Sequence, residues 1–462
     1  MKRRRFAFAA AFTIAIAAIA VTNGGAGNEP GFDTARPAQL VPEPGSGTIV
    51  DPILSTGDIV GTYQMSGVPD GLGAYKDNHN NVVVLMNHEL GRTFPALPPG
   101  VDARISKVVI NGQNRDVQEA HYAFTGAEGF ERFCSSTLEV IEGTPWYFTG
   151  EEAIGVSPLV GHDGSSIVMN AETGVPQETP HFGHMNHENV VPVERIRKFM
   201  LVTTDDDFRI GQPAYLFAYI ADSLEAAVSG DPSRGSLYVW RSKNPAFVDL
   251  VKSQTIAGEF VPISQAENSD STELKAAATA RRAFRFARLE DIAAAQQHPG
   301  RLYFTDTGKA GENNVNGALY RLDINPSEPT EASVTLLLDS DAGDNLRRPD
   351  NLDTSAHSVV IQEDGGQNRV LVYDIDTGTV RVVARTPNLA WESSGAINAQ
   401  TLLGHDWWLM DVQAHPPAIP PPVGFPLAPQ PGAVYGPDGQ PVPNTGFGED
   451  GQLMAVYIPD ST

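Results

Sequence analysis

The chain has 462 residues, 41% hydrophobic and 19% charged, and its Gly 44 and Pro 35 make up about 17% of it, against a usual ~12%. These figures fit a turn-rich globular protein and exclude disorder; no apolar run reaches the ~20 residues of a membrane span, and a single Cys excludes an internal disulfide. Asp plus Glu 56 against Lys plus Arg 32 leave a net charge of −24, a field that repels nucleic acid and gathers cations.

In chain order, Lys2 to Arg5 form a basic stretch, Phe6 to Ala20 an apolar one of signal-peptide length, and Ala18-Ile19-Ala20 a small-x-small cleavage signal. Residues 1–20 therefore read as a signal peptide, and the protein as exported, periplasmic or extracellular. Arg3-Arg4-Arg5-Phe6-Ala7 is close to a twin-arginine signal, a route for proteins already folded around a cofactor, while a general secretory leader with three arginines fits the same residues. Loss of Lys2, Arg3, Arg4 and Arg5 takes the charge from −24 to −28. Residues 21–47, rich in Gly and Pro, are expected to be a flexible or draped arm, and 48–462 a single domain.

One phrase recurs six times: an apolar, β-branched or aromatic strand that ends abruptly in acids, amides or histidine. The copies are Val82 to Glu89, Trp146 to Glu152, Phe199 to Asp206, Leu302 to Thr307, Ser358 to Asp364 and Trp407 to His415. Apart from one gap of 103 residues, their starts lie 49 to 64 apart, which suits propeller blades of ~40 to 50 residues with loop insertions. Second strands follow at Ser236 to Trp240, Ala318 to Leu322 and Val370 to Ile375. The expected fold is all-β, a six-bladed β-propeller with helical and loop insertions; a seventh blade inside the long gap is its main rival. That gap holds Ala214 to Ser229 and Glu273 to Ala295, alanine-rich and helical in period, so a helical insertion is expected at about 208–295. Residues 416–443 form a proline-rich loop, and Gln452 to Pro459 a last strand able to close the ring.

If the repeated strands are innermost, the residues at their ends converge on one mouth of the axis: Glu89, Glu151, Glu152, Asp205, Asp206, Asp306, Glu363, Asp364 and His415. A single such acid ordinarily caps a turn. As a set they repel one another, and cations resolve the repulsion. The G-x-S-x-G elbow, H-E-x-x-H and P-loop signatures are absent. Asp339 to Asp344 has the composition of a calcium loop without its spacing, and reads as a plain turn.

Together these phrases resemble the PhoX-type alkaline phosphatase family, from about Gly71 to His415 and in the family's order. Thr144-Pro145-Trp146 with Gly150-Glu151-Glu152 is similar to its T-P-W-G-T-W-x-x-C-E-E, with Cys134 upstream where the family has a metal-binding cysteine. Gly183 to Asn189, Thr203 to Asp206, Phe286 to Ile292, Arg348 to Leu352 and Asn87-His88-Glu89 resemble its G-R-x-x-H-E, T-E-D, F-x-R-x-E-D, S-P-D-N-L and N-H-E. Departures are the missing glycines around Cys134, a shorter T-P-W segment, Gly150 in place of a second cysteine, and His184 in place of Arg. The resemblance implies an exported propeller that holds iron and calcium and hydrolyses phosphate esters.

On that reading Cys134, Glu152, Glu188, Glu290, Glu89 and Asp350 hold metal. The thiolate suits a transition ion and the carboxylates suit calcium. Arg288, two residues before Glu290, projects to the same face of an extended segment and grips phosphate. Asn87 donates to a phosphoryl oxygen, Lys107 stands where the family has a phosphate-contacting lysine, and His88 and His187 orient neighbouring carboxylates. The expected protein is a monomeric phosphomonoesterase acting on a small phosphate ester, without nucleic-acid partner or stable membrane insertion, its calcium and iron clamping phosphate and stabilising the developing charge. A non-catalytic calcium-binding propeller and a phytase-like or lactonase-like propeller hydrolase are the alternatives.

Overall fold

Strands such as Val82–His88 are buried along their whole length and open on a continuous apolar run, a pattern that belongs to strands covered on both faces. In the computed structural model each of the six repeated phrases is such a strand, with a polar strand on its inner side. The structure describes residues 31–91, 103–125, 130–153, 163–415 and 449–460, and the backbone of 434–435 and 441–442. Of the two units into which the chain divides, 1–30 and 31–462, the first lies outside the described residues. So do the expected signal peptide and most of the proline-rich loop.

Apart from two two-stranded pairs, four sheets stand separately. From the inside outward the first is Pro69–Lys76, Val82–His88, Arg104–Ile110 and Val117–Phe124, and the second Phe133–Ile141, Thr144–Glu151, Ser166–Asn170 and Val175–Glu178. The third runs from Pro349–Thr354 through Ser358–Glu363, Arg369–Asp374 and Val380–Arg385 to Val41–Pro42. The fourth joins Glu392–Asn398, Trp407–Ala414, Asp450–Tyr457 and Ile49–Ser55, so strands from both ends of the chain close one sheet. A nine-stranded sheet supplies the rest, with His187–Val193 at one end and Leu289–Ala294 at the other.

The innermost strands, beginning at residues 69, 133, 187, 289, 349 and 392, touch one another in a closed cycle. They surround a cavity of about 350 Å³ to which Gly73, Leu138, Val191, Ile292, Leu352 and Ile397 each contribute from a different strand. The arrangement is all-β and propeller-like, as the repeats predict. It differs from the expectation in detail: the repeated phrases are the second strands of their sheets, because the second position is covered on both sides while the innermost strand faces a polar axis.

The expected helical insertion at about 208–295 holds more strand than helix. Leu216–Ala221, Gly235–Ser242, Thr255–Ile263 and Leu289–Ala294 lie within it, and helix is confined to α1 (Leu224–Ser229) and α2 (Ser271–Ala280). Alanine content misleads here because Tyr215, Leu216 and Phe217 are drawn into pairing with Phe199–Asp205 and into the core, a tertiary gain that overrides helix propensity. No extra blade fills the gap; Thr255–Ile263 is an additional strand that pairs with Glu331–Asp339 and joins two four-stranded halves into one sheet.

The part of the arm that is described runs over three sheets, Phe32 bridging Val117 of the first. Arg36 Nη1 donates to Asp450 Oδ1 at 2.7 Å, and Val41–Pro42 extends the third sheet. Gly71 lets the first innermost strand come close to the second: a Cβ there would lie 2.4 Å from the Ser136 amide. Any side chain at this position would push the first two sheets apart.

Candidate metal centre

Every innermost strand is irregular at the same place. Its register against the second strand slips between residues 69 and 72, 187 and 190, 289 and 292, 349 and 352, and 394 and 396, and in the second sheet on the facing strand between 149 and 151. Bulges at the rim of a closed sheet re-aim side chains, and here they bring one short pattern to each slip. Pro69-Asp70-Gly71-Leu72, Phe133-Cys134-Ser135-Ser136, His187-Glu188-Asn189-Val190, Leu289-Glu290-Asp291-Ile292, Pro349-Asp350-Asn351-Leu352 and Ser393-Ser394-Gly395-Ala396 are its six versions.

Cys134, Glu188, Glu290 and Asp350, with Glu89 and Glu152 from the ends of second strands, line one cavity of about 270 Å³ together with Arg132, Arg288, Asp364, Glu392, Gln413 and His415. Two sub-groups stand out. The donor atoms of Asp70, Glu89 and Cys134 all lie within 4.8 Å of one another, and so do those of Glu188, Glu290 and Asp350.

Charge in this cavity is far from balanced. Burial, then Glu290, pushes the Glu188 carboxyl well above the usual range; burial, then Glu290 and Glu392, does the same to Asp350, and burial, then Glu89, to Asp70. Glu152 is raised by burial despite Arg132, and Glu290 by burial despite Arg288. The Cys134 thiol is raised by burial and then by Asp70, whose Oδ2 accepts from Sγ at 3.5 Å. Glu392, with burial, brings Asp364 to about 7. Glu89 alone is lowered, Arg132 outweighing its burial.

Two guanidiniums partly offset the acids. Arg132 donates to Glu89 Oε1 through Nη2 at 2.7 Å and reaches Glu152 Oε2 with the same nitrogen. Arg288 forks onto Asp206, Nε to Oδ1 at 2.8 Å and Nη2 to Oδ2 at 2.9 Å, with Glu290 Oε1 3.1 Å from Nε. Glu188 Oε2 is buried without any hydrogen-bond partner, while its Oε1 accepts from Ser135 Oγ at 2.8 Å. A buried carboxylate with an orphaned oxygen, beside two more carboxylates, needs a proton or a cation. The donor set fits metal: oxygen ligands alone in the Glu188 group, oxygen with sulfur in the Cys134 group.

Of the sequence candidates, Cys134, Glu152, Glu188, Glu290, Glu89, Asp350 and Arg288 share this cavity. Asn87 and Lys107 do not. Asn87 is fully buried below the mouth, where Nδ2 donates to Cys134 O at 2.6 Å and Thr149 Oγ1 at 2.8 Å while Oδ1 accepts from Tyr147 Oη at 2.8 Å. It ties the first sheet to the second and has no atom left for a ligand. Lys107 sits on the third strand of its sheet, its ammonium donating to Ala171 O at 2.8 Å. His88 and His187 meet no carboxylate. His88 lies between Gly67 O at 2.9 Å and Ser106 Oγ at 2.7 Å, and His187 between Thr203 Oγ1 at 3.0 Å and Gly183 O at 2.8 Å. Burial takes both down to about 4, so both are neutral spacers.

Sequence reasoning missed Asp70, Arg132, Glu392 and Gln413. Asp70 had a signal, since Pro69-Asp70-Gly71-Leu72 echoes Pro349-Asp350-Asn351-Leu352. Asp339 to Asp344 closes as a turn, Asp339 Oδ1 accepting from the Asp341 amide at 2.9 Å.

Behind Asp206 lies a support from the long gap. Lys275 of α2 donates to Asp205 Oδ2 at 2.8 Å and Asp207 Oδ2 at 2.5 Å, pinning the residues on either side of Asp206. Lys275→Met is expected to lower stability by about 2 kcal/mol, because it leaves the buried Asp205 carboxylate without its cation while Asp207 keeps Arg209, and Lys275→Arg to lower it less. Urea melts of both variants check this; a methionine variant as stable as wild type would remove Lys275 from the support of the site.

No protein-family model and no curated protein matches this chain. Among solved structures, a protein of unknown function from Dyadobacter fermentans DSM 18053 is 8% identical, with 89% of this chain and 99% of that one covered and a TM-score of 0.48. The α-L-arabinofuranosidase Arb93A from Fusarium graminearum is 8% identical over 89% of this chain and 99% of its own, with a TM-score of 0.37. Zg3597, a family 117 glycoside hydrolase from Zobellia galactanivorans, is 8% identical over 90% and 91%, with a TM-score of 0.35.

Proposed function

We propose that this chain is a metal-dependent propeller hydrolase and, within that class, a phosphomonoesterase of the PhoX type. The observation that carries the reading is one cavity that brings together Glu188, Glu290 and Asp350, Glu89 and Cys134 with Asp70 beside them, and two guanidiniums. On the same reading the nine-stranded sheet counts as two blades joined at their outer edges, which makes six in all.

Asp70, Glu89 and Cys134 would hold a transition ion such as iron, and Glu188, Glu290 and Asp350 calcium. Bound there, the ions supply Lewis acidity toward a phosphoryl oxygen and lower the pKa of water. The chain's own residues do the rest. Arg288, kept planar and oriented by Asp206, faces the cavity and binds phosphoryl oxygens with the edge that Asp206 leaves open. Arg132 holds the Glu89 carboxyl below the usual range and offsets part of the cost of burial at Glu152. His415 lies between Glu449 and Glu392, its Nε2 3.5 Å from Glu392. Those carboxylates outweigh burial and raise its pKa well above the usual value, so it keeps a proton at the mouth. In the reaction the oxygen of water bonds to phosphorus and releases a proton, the bond from phosphorus to the alcohol oxygen breaks, and His415 protonates the departing alcohol and is reprotonated by the proton that water released.

One observation favours a second reading, a lactonase-like hydrolase of a neutral ester: both guanidiniums are already engaged by carboxylates. Elemental analysis with turnover of an aryl phosphate and of a lactone separates the two. Iron with calcium and aryl phosphate turnover is expected, and Cys134→Ser should lose iron preferentially while still folding. Calcium without iron, a fully active serine variant and no phosphate release would leave Cys134 as a core residue and overturn the phosphatase reading.

A further inference from the structure

The backbone from Phe284 to Glu290 borders two different spaces. Arg288 and Glu290 line the carboxylate-rich mouth. Phe284, Arg285, Phe286 and Ala287 line a neighbouring cavity of about 380 Å³, which shares Val248, Phe284 and Arg285 with a further one of about 470 Å³. The two cavities form one groove, which has no lining residue in common with the mouth and comes nearest to it along the chain at the Ala287–Arg288 peptide. Asp306 fixes the junction, accepting from the Ala287 amide at 2.9 Å and from the Arg288 amide at 2.9 Å.

The inner part of the groove carries Asp249, Asp306 and Glu312, but unlike the mouth it sets them around aromatic rings. Its floor is aromatic: Phe284 packs on Trp240 and on Phe286, at ring distances of 5.4 and 5.1 Å, and Phe286 on Tyr320 at 5.6 Å. Its outer wall is the 244–254 loop, which leaves Val248 71% and Phe247 38% exposed. In a chain of net charge −24, the outer part of the groove is lined by Arg241, Lys243, Arg282 and Arg285 against one carboxylate, Glu259. Arg241 pairs with Glu259, Lys243 with Glu331 and Arg285 with Glu312. Arg282 is exposed and makes no ion pair among the described residues.

We propose that this groove is the leaving-group subsite: it takes the aromatic or bulky apolar alcohol portion of the ester, with any anionic substituent directed toward Arg282. This rests on the phosphoester reading of the mouth. Ala287 at the inner end of the groove is the chain neighbour of Arg288, so on this proposal the alcohol of a phosphoryl ester held in the mouth is directed past that peptide into the groove. Aromatic floor and apolar wall supply the burial, and the cations select against a cationic tail.

The test is the ratio of kcat/KM for 1-naphthyl phosphate to that for phenyl phosphate, two esters whose alcohols are of comparable acidity, measured on the metal-loaded protein. The naphthyl ester is expected to be preferred on the order of tenfold, the worth of a small apolar increment in a matched pocket. In the double variant Phe247→Ser, Val248→Ser, both at exposed positions, the ratio should fall toward one. In Arg282→Glu the preference for a sulfonated naphthyl phosphate over the unsubstituted one should reverse. Turnover of both esters with a ratio near one in the wild type, or a ratio unmoved by these substitutions, overturns the subsite and leaves the phosphatase reading standing. No turnover of either ester overturns the phosphatase reading, and the subsite with it.

Discussion

Replacing Glu188 with glutamine is expected to stabilise the metal-free protein and to destabilise the metal-loaded one. Glu188 is fully buried, one of its oxygens has no partner, and Glu290 and Asp350 stand within 4.8 Å of it. Burial and Glu290 raise its folded pKa well above the unfolded one. A carboxyl raised in this sense costs nothing at low pH, where both states hold the proton. It erodes stability as pH climbs from the unfolded pKa toward the folded one, and above that the cost stays constant. The amide carries no such cost, so the gain of Glu188→Gln should be absent near pH 4, grow with rising pH and reach about 2 kcal/mol in chelator. With calcium present the sign inverts. The site has lost an anionic ligand, and the linkage stabilisation that a bound ion gives, about 2.7 kcal/mol at a hundredfold excess over Kd, goes with it. Paired melts in chelator and in calcium, at pH 5 and pH 8, measure both signs. A variant that shifts the melt in the same direction under both conditions would place no cation at Glu188.

The sequence makes the second strands conspicuous and the innermost ones obscure, for one physical reason. A strand covered on both faces holds a continuous apolar run, as Val82 to Met86 and Val359 to Ile361 do. The innermost strands start polar, bulge, and put side chains into both mouth and axis, so neither an alternating nor a continuous pattern marks them. Glu188 and Asn189 are neighbours in sequence, yet one lines the mouth and the other the axial cavity. The acids at the strand ends were legible as a converging set, but which of them face the cavity was not. Glu151 turns away to accept from the Glu131 and Ser165 amides at 2.9 and 3.0 Å, whereas Glu152, its neighbour, lines the mouth. Arg132 and Glu392 flank the starts of innermost strands and carry no local pattern; only the closed ring brings them together. Asn87 and Lys107 failed for a related reason, since a motif shows that a polar residue is needed and not whether its partner is a ligand or the next sheet.

Arg288 is where binding and stability are expected to part most clearly. Its guanidinium answers Asp206 and Glu290 at once, and both outweigh its burial to hold its pKa well above the usual value. Arg288→Ala therefore strands two buried carboxylates, and in the metal-free protein it should cost about 3 kcal/mol of stability. Cations loaded beside Glu290 take over part of that balance, so the stability loss should shrink in the holoprotein. The catalytic loss should not. If Arg288 binds phosphoryl oxygens, kcat/KM for an aryl phosphate falls by about 2 to 4 kcal/mol in barrier terms with metal content unchanged. Lysine repairs the charge balance but not the planar fork, so Arg288→Lys should recover most of the stability and little of the rate. Asp206→Asn supplies the complementary change: it keeps the guanidinium and loosens its orientation, and so should raise KM more than it lowers kcat. Metal content, chelator melts and kcat/KM on the three variants separate these roles. Equal recovery of rate and stability by lysine would reduce Arg288 to a counter-charge for Asp206 and Glu290, and phosphate recognition would then fall to the cations alone.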